Sequence, residues 1–320
     1  MNYIGLSCGF HDASLAVVNK DGEIVYTARS SEFSGIPNDK NLDSRLVLKA
    51  LEYGDNEYEL HYYENPLLKY LRQLRAGERP GIKTISASYM IGRHNHKLLN
   101  NKPIHTHKHH LTHAAGGFQT SKFDRATVVV IDAIGEFDTI TIWSAEYKNN
   151  RAQYRRLYSQ TYPDSIGLFY SAMTKQIGLT PLQDEYKLMK YSEHGNRYSE
   201  CTTALLDTVV NSVRDCTFND NLHIGLNKSV SDSLLQYSVA DVAASTQYVT
   251  EQLIYSVMQR AKSFNFSNNL VYSGGVALNS IANNNLSDFF DNIHIMSDPG
   301  DSGSSIGACA LAYGHRLTSL

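Results

Sequence analysis

Two stretches far apart in the chain carry the same pattern, and that repetition constrains the fold more than any other feature. The first runs as a strand, Ile4–Ser7, then Ala13–Val18, the turn Asn19-Lys20-Asp21-Gly22, and Ile24–Thr27. The second runs as Ala126–Ile131, the polar turn Asp132–Glu136, and Thr139–Trp143. Runs of β-branched residues joined by short polar turns predict hairpins, and the Asp-Gly pair strengthens the first. A degenerate internal duplication predicts two similar sheets. In both copies an aspartate (Asp12, Asp132) follows a buried strand, so backbone amides and a carboxylate face one space suited to phosphate or metal.

Helical spacing of apolar residues marks Leu42–Leu51, Leu67–Leu74, His109–Phe118, Leu168–Ile177 ended by Gly178, and Ala240–Ala261. A strand at Leu270–Tyr272 leads into the glycine turn Ser273–Val276. The loop Ser297–Gly303 leads into a small-residue helix, Ser304–Tyr313. Strand, glycine turn and helix at that point resemble a nucleotide or phosphate cradle. The pattern predicts an α/β chain of two lobes that pass into each other between Glu146 and Asp164, written as 1–155 and 156–320. The segment Glu193–Asn227 has little periodicity and receives no assignment.

With 320 residues, 42 % of them apolar, the chain can bury a core in each lobe. No stretch has the length and apolarity of a membrane span, and Met1 leads into Tyr3-Ile4-Gly5 without a signal-like region. Four scattered cysteines fit a reducing, cytoplasmic setting. Between Pro66 and His110, Lys69, Arg72, Arg75, Arg79, Lys83, Arg93, Lys97, Lys102 and Lys108 face Glu78 alone. Such a segment is either a solvated helix face or a docking surface for an anionic substrate or nucleic acid.

The densest chemistry is His109-His110-Leu111-Thr112-His113. On a helix His109 and His113 share one face and can share a metal. Asp132, and Asp301 from the other lobe, would complete a set that suits iron(II), with zinc or manganese as alternatives. His110 faces away or binds substrate. His11-Asp12 offers either a proton acceptor or a turn histidine bonded to backbone. Glu185 and Lys187 read by themselves as an exposed charge pair. Gly274, Gly275 and Asn279 either approach a nucleotide or make a tight turn.

Taken together, the motifs HDAS (His11–Ser14), YYENPLLK (Tyr62–Lys69), HHLTHAAGGF (His109–Phe118), DAIGE (Asp132–Glu136), SIGLFYSAMTKQIG (Ser165–Gly178), DEYKLM (Asp184–Met189), SGGVALN (Ser273–Asn279) and GDSGSSIGA (Gly300–Ala308) resemble one family. It comprises the carbamoyltransferases of the nodulation-protein and aminoglycoside or cephamycin O-carbamoylation type. The resemblance implies the two-lobed fold of actin, heat-shock chaperones and sugar kinases. It also implies iron on His109, His113, Asp132 and Asp301, and a carbamoyl-adenylate donor made from carbamoyl phosphate and ATP. His11 and Asp12 take the catalytic position. Gly135, Glu136, Glu185, Lys187, Gly274, Gly275, Val276 and Asn279 are the expected donor or nucleotide contacts, and Lys40 and His110 the candidates for the acceptor.

The chain departs from the family's pattern in two places. Ser30–Asp39 lacks the basic residues usual after the third strand, with Pro37 where lysine is common and Lys40 as the candidate substitute. Met189 is followed by Lys190-Tyr191-Ser192 instead of the usual small residues. Family members also continue into a YrdC-like domain that makes the donor, so a separate YrdC-like partner is expected. The acceptor hydroxyl belongs either to a sugar or natural product, or to a hydroxymethylated pyrimidine in DNA. The alternatives are a tRNA threonylcarbamoyl-type transferase and a non-catalytic ATP-binding subunit.

Overall fold

The computed structural model describes residues 1–53 and 57–318. Its core is two five-stranded mixed sheets. The first is built from β1 (Asn2–Ser7), β2 (Ser14–Val18), β3 (Ile24–Arg29), β4 (Tyr58–Tyr62) and β5 (Ile104–Thr106), in the order β3-β2-β1-β4-β5. The second contains β6 (Arg125–Gly135), β7 (Asp138–Lys148) and β8 (Arg151–Thr161). A two-stranded pair, β9 (Val210–Ser212) and β10 (Thr217–Phe218), stands apart; β11 (Asn269–Ser273) and β12 (Asn292–His294) then complete the order β12-β11-β6-β7-β8. Read from the first strand of each sheet, the two are the same. Two successive antiparallel pairings lie on one side and two successive parallel pairings on the other. The duplication expected from the hairpin pattern therefore extends to whole sheets, and the two-lobed actin-like fold class is met.

Strand periodicity sorts the core. In β2, Leu15 and Val17 join Ile4, Leu6, Leu60 and the Leu46–Val47 face of the helix Ser44–Leu51. Ala16 and Val18 point the other way, toward Ile306, Cys309 and Ala310. In β6, Val129 and Ile131 enter the largest core, with the helices Ile166–Gln176 and Val239–Ser263. Val128 and Val130 meet Ala114 and Phe118. Both strands are buried on two faces, which is why they read as nearly continuous apolar runs.

Each sheet is covered by a helix that the other half supplies. The helix His109–Thr120 follows β5 yet packs on β6 and β11, whereas the helix Ser304–Tyr313 follows β12 yet packs on β1 and β2. The two helices cross at small residues, with a Cβ on Gly116 falling 3.3 Å from the Gly307 Cα. This exchange places His109, His113 and Asp301 at the seam between the halves.

Local signals set the helix ends. The Asn65 side chain caps the helix Pro66–Arg75, Ser165 caps Ile166–Gln176, and Ser238 caps Val239–Ser263. The helix expected from Leu42 begins at Ser44 because Asp43 caps it. A division at 155/156 falls inside β8, which is hydrogen-bonded to β7 along its length. Sheet membership changes instead between β5 and β6. The unassigned Glu193–Asn227 contains the helix Glu200–Thr208 and the β9–β10 pair, and it buries Cys201, Leu205, Val210 and Phe218 in the large core. All four cysteines are free and buried. Among the described residues no helix is long and apolar enough to cross a membrane.

Candidate metal centre between two cavities

The first turn of the helix His109–Thr120 directs two imidazoles at one point. His109 Nε2 and His113 Nε2 lie 2.9 Å apart, and Asp301 Oδ1 is 3.2 Å from each. Asp132 Oδ2 is 3.2 Å from His109 Nε2, and all four residues are buried, with their candidate ligand atoms within 4.8 Å of one another. Ligand atoms about 2.1 Å from one cation and at right angles to each other lie about 3.0 Å apart, so these spacings fit a shared cation. Two nitrogens and two carboxylate oxygens are the donor set of a mid-row divalent metal. The four residues predicted from the sequence therefore converge.

Glycines let the backbone come this close. A Cβ on Gly135 would lie 2.5 Å from the rings of His109 and His110, and one on Gly274, at φ +94°, would lie 2.2 Å from the Ile131 carbonyl oxygen. Gly135 and Gly274 thus hold the ligand-bearing strand ends and do not line the cavities. Gly275 N–H donates to Asp132 Oδ1 at 3.1 Å, fixing that carboxylate.

The electrostatics keep both carboxylates anionic. Burial alone would raise Asp301, but the adjoining histidines, His109 first, hold it well below the usual carboxylate range. Asp132 is lowered to about 2: burial and the Asp301 charge oppose this, and the bond and charge of His109 outweigh them. His109 Nδ1 has no hydrogen-bond partner; Glu64 Oε2 stands 3.9 Å from it, and Glu64 Oε1 accepts from Lys69 Nζ at 2.6 Å.

A cavity opens on each side of the cluster. One, of about 310 Å³, is lined by His11, Asp12, Arg29, Tyr170, Glu185, Gly275, Val276, Asn279 and Asp298, with Asp132 and Asp301 at its end. His11 Nδ1 lies 3.1 Å from Asp12 Oδ2, and its Nε2 is 3.8 Å from Asp301 Oδ2. Burial opposes charge on His11, yet the Asp12 bond and Asp301 raise its pKa. Asn279 exchanges two amide hydrogen bonds with Gln247, whose Oε1 also accepts from Tyr170 Oη.

The other cavity, of about 340 Å³, is lined by Phe10, Tyr63, Glu64, Lys69, Arg72, Glu78, Glu136, Leu168 and His223, with His109 and Asp301 at its end. Glu136 Oε1 accepts the Asn65 N–H at 2.6 Å, and burial pushes this carboxyl up to about 7. Four residues line both cavities: Ala133, Ser171, Leu182 and Asp301. Left-handed backbone outside glycine gathers here, at Asp12, Asn38, Glu136 and Leu182. Each such residue costs on the order of 1–3 kcal/mol, which only a strongly determined local structure sustains.

Several expected contacts lie elsewhere. His110 is buried, bonded through Nδ1 to Thr141 Oγ1 at 2.9 Å, and lines neither cavity. Lys40 is exposed and lines neither. Lys187 pairs with Asp184 at the surface. Glu136 lines the cavity opposite the one holding Gly275 and Asn279. In the basic segment, Lys69 and Arg72 are buried in pairs with Glu64 and Glu78.

The sequence reading left unassigned Arg29, which ends β3 and pairs with Asp298 at 2.9 Å, and also Glu64, Lys69 and Leu182. An acid immediately before the Asn65-Pro66 helix start was the available signal for Glu64.

A family model described as carbamoyltransferase N-terminus matches residues 55–310. An uncharacterized protein of Synechocystis is 30 % identical over 98 % of this chain and 57 % of its own length. The nodulation protein NolNO of Sinorhizobium fredii is 23 % identical over 94 % of this chain and 46 % of its own. The chain thus spans about half the length of the curated relatives it matches. Among solved structures, the activator of the 2-hydroxyisocaproyl-CoA dehydratase of Clostridium difficile, with bound ADPNP, superposes with a TM-score of 0.52 at 13 % identity, over 98 % of this chain and 94 % of that one. That likeness is one of fold.

Proposed function

The chain belongs to the carbamoyltransferase family, and from that premise we propose that it moves a carbamoyl group from carbamoyl-adenylate to the hydroxyl of a sugar or natural product. The observation that carries the reading is the buried cluster of two histidines and two aspartates standing where two cavities meet. One cavity serves the donor and the other the acceptor.

On the donor side, the Gly275–Asn279 turn and Tyr170 receive the nucleotide, and Arg29 faces its phosphate. Asp12 accepts a hydrogen bond from His11 Nδ1–H and, with Asp301, favours the protonated ring, which steadies the donor's phosphate. On the acceptor side, Glu136, whose Oε1 accepts the Asn65 N–H, takes the hydrogen bond, then the proton, of the attacking hydroxyl. His109, His113, Asp132 and Asp301 would hold the metal, for which we choose iron(II) over zinc or manganese. When bound it supplies a Lewis-acid charge beside the reacting group. We assign the making of carbamoyl-adenylate from carbamoyl phosphate and ATP to a YrdC-like protein or region.

Charge favours a sugar over DNA. The acceptor cavity is lined by the carboxylates Glu64, Glu78, Glu136 and Asp301 and by Lys69 and Arg72, which pair with Glu64 and Glu78 at 2.6 and 2.7 Å. That balance suits a neutral or amine-bearing polyol better than a phosphate backbone.

The test incubates purified, iron-loaded protein with carbamoyl-adenylate and either an aminoglycoside or hydroxymethylcytosine DNA, reading the carbamoyl mass increment. Product on the aminoglycoside alone is expected. Product on the DNA alone would overturn the acceptor reading, and no product with either would overturn carbamoyl transfer.

A further inference from the structure

We infer that Leu182 is a partition residue, whose side chain closes the line along which the two cavities meet and keeps water from the group in transit. The inference rests on the proposed carbamoyl transfer.

Leu182 sits at φ 65°, a region leucine rarely adopts because its Cβ crowds the backbone. Glycine or asparagine would hold that turn without strain, so the turn by itself does not call for leucine. Core packing does not call for it either, since Leu182 is 40 % exposed. Leu182 nonetheless lines both cavities, together with Ala133, Ser171 and Asp301. Of these four, Asp301 belongs to the cluster, and Ser171 is tied to Leu182 through Glu185.

The strained residue is held from both halves of the fold. Leu182 N–H donates to Glu185 Oε1 at 2.6 Å, and Ser171 Oγ donates to the same oxygen at 2.9 Å. The Leu182 carbonyl accepts Asn38 Nδ2 at 2.9 Å from the loop after β3, and Asn38 is itself left-handed. The turn is closed by Thr180 N–H to Asp184 Oδ2 and Asp184 N–H to the Thr180 carbonyl, both 3.0 Å. A strained backbone tied this firmly, at a residue shared by two cavities, is the pattern expected where function sets the conformation.

The chemistry supplies the reason for a partition. In transfer, the acceptor oxygen bonds to the carbamoyl carbon, the bond from that carbon to the phosphate oxygen breaks, AMP leaves, and the hydroxyl proton is released. Water can attack the same carbon with the same leaving group, giving AMP and carbamate, which breaks down to carbon dioxide and ammonia. An apolar side chain between the cavities suppresses the second route.

The test compares Leu182→Gly, Leu182→Ala and Leu182→Met with the unaltered protein. It reads AMP and ammonia released from carbamoyl-adenylate without acceptor, and carbamoylated product with an aminoglycoside. Leu182→Gly and Leu182→Ala should raise acceptor-free AMP release roughly tenfold and lower the product-to-AMP ratio, with donor affinity unchanged by calorimetry. Leu182→Met should stay near the starting ratio. A purely structural leucine would give a higher Tm for Leu182→Gly, through relief of strain, with an unchanged ratio, and that result overturns the inference. If the unaltered protein neither binds nor consumes carbamoyl-adenylate, the donor assignment itself fails and the partition falls with it.

Discussion

Gly307 lies against the backbone of Thr112 so closely that a Cβ placed on it would fall 2.0 Å from the Thr112 carbonyl oxygen. Thr112 stands between His109 and His113, and Gly307 lies one and a half turns beyond Asp301, so this contact sets how far apart the ligands of the two halves stand. Gly307→Ala should therefore destabilise the fold by about 1–3 kcal/mol in urea unfolding, through overpacking. Metal affinity should fall in parallel.

The four-residue cluster predicts which substitutions abolish metal binding. His109→Ala, His113→Ala and Asp301→Asn should each leave purified protein without stoichiometric metal by elemental analysis. His110→Ala, one residue from the cluster but turned toward Thr141, should retain it. Chelation of the unaltered protein should lower its Tm, because a metal bound only by the folded state stabilises that state.

Glu64 and Lys69 form a buried ion pair beside His109. Lys69→Met alone strands a buried carboxylate and should cost about 3–5 kcal/mol. Adding Glu64→Leu should recover most of that loss, because it removes the orphaned charge. Denaturant titration of the two single variants and the double variant measures the coupling.

Glu136 and His11 should fail differently. Glu136→Gln keeps the shape and the Asn65 contact but cannot take a proton, so kcat should fall about 10²-fold or more with donor affinity unchanged. His11→Asn, on the other side of the cluster, should weaken donor binding, read by calorimetry with carbamoyl-adenylate.

His61 gives the fold an acid-sensitive point away from the cluster. It is buried on β4 with Nδ1 3.0 Å from His107 Nε2, and burial first, then the charge of His105, pushes its pKa down to about 4. Between that value and the ordinary 6.5 the unfolded chain binds the proton more readily than the folded one. The contribution of His61 to stability is thus complete above about pH 6.5 and is lost as pH falls toward 4. His61→Gln should flatten the pH dependence of Tm across that window.

The amino-acid sequence alone determined whatever depends on neighbours a few residues apart. Apolar alternation in β2 and β6 defined the duplicated strands, caps such as Asn65 and Ser165 set helix starts, and the spacing of His109 and His113 put two imidazoles on one face. The membership of Asp132 and Asp301 rested on the resemblance of their motifs, DAIGE and GDSGSSIGA, to the carbamoyltransferase family.

Tertiary structure decided everything that depends on how those pieces close. Only the exchange of covering helices brings Asp301 within 3.2 Å of His109. Only the packing of the helix Pro66–Arg75 turns Lys69 and Arg72 inward, so part of a basic stretch in sequence becomes a buried ion pair with Glu64 and a half-buried one with Glu78. His110 is lost to Thr141 because the helix presents one face to the seam and the other to β7. Leu182 gains its place from bonds reaching it from Asn38 and Glu185, residues of different halves. Side-chain direction along a strand or helix is a local property fixed by backbone geometry, whereas which surfaces meet is fixed by burial summed over the whole chain.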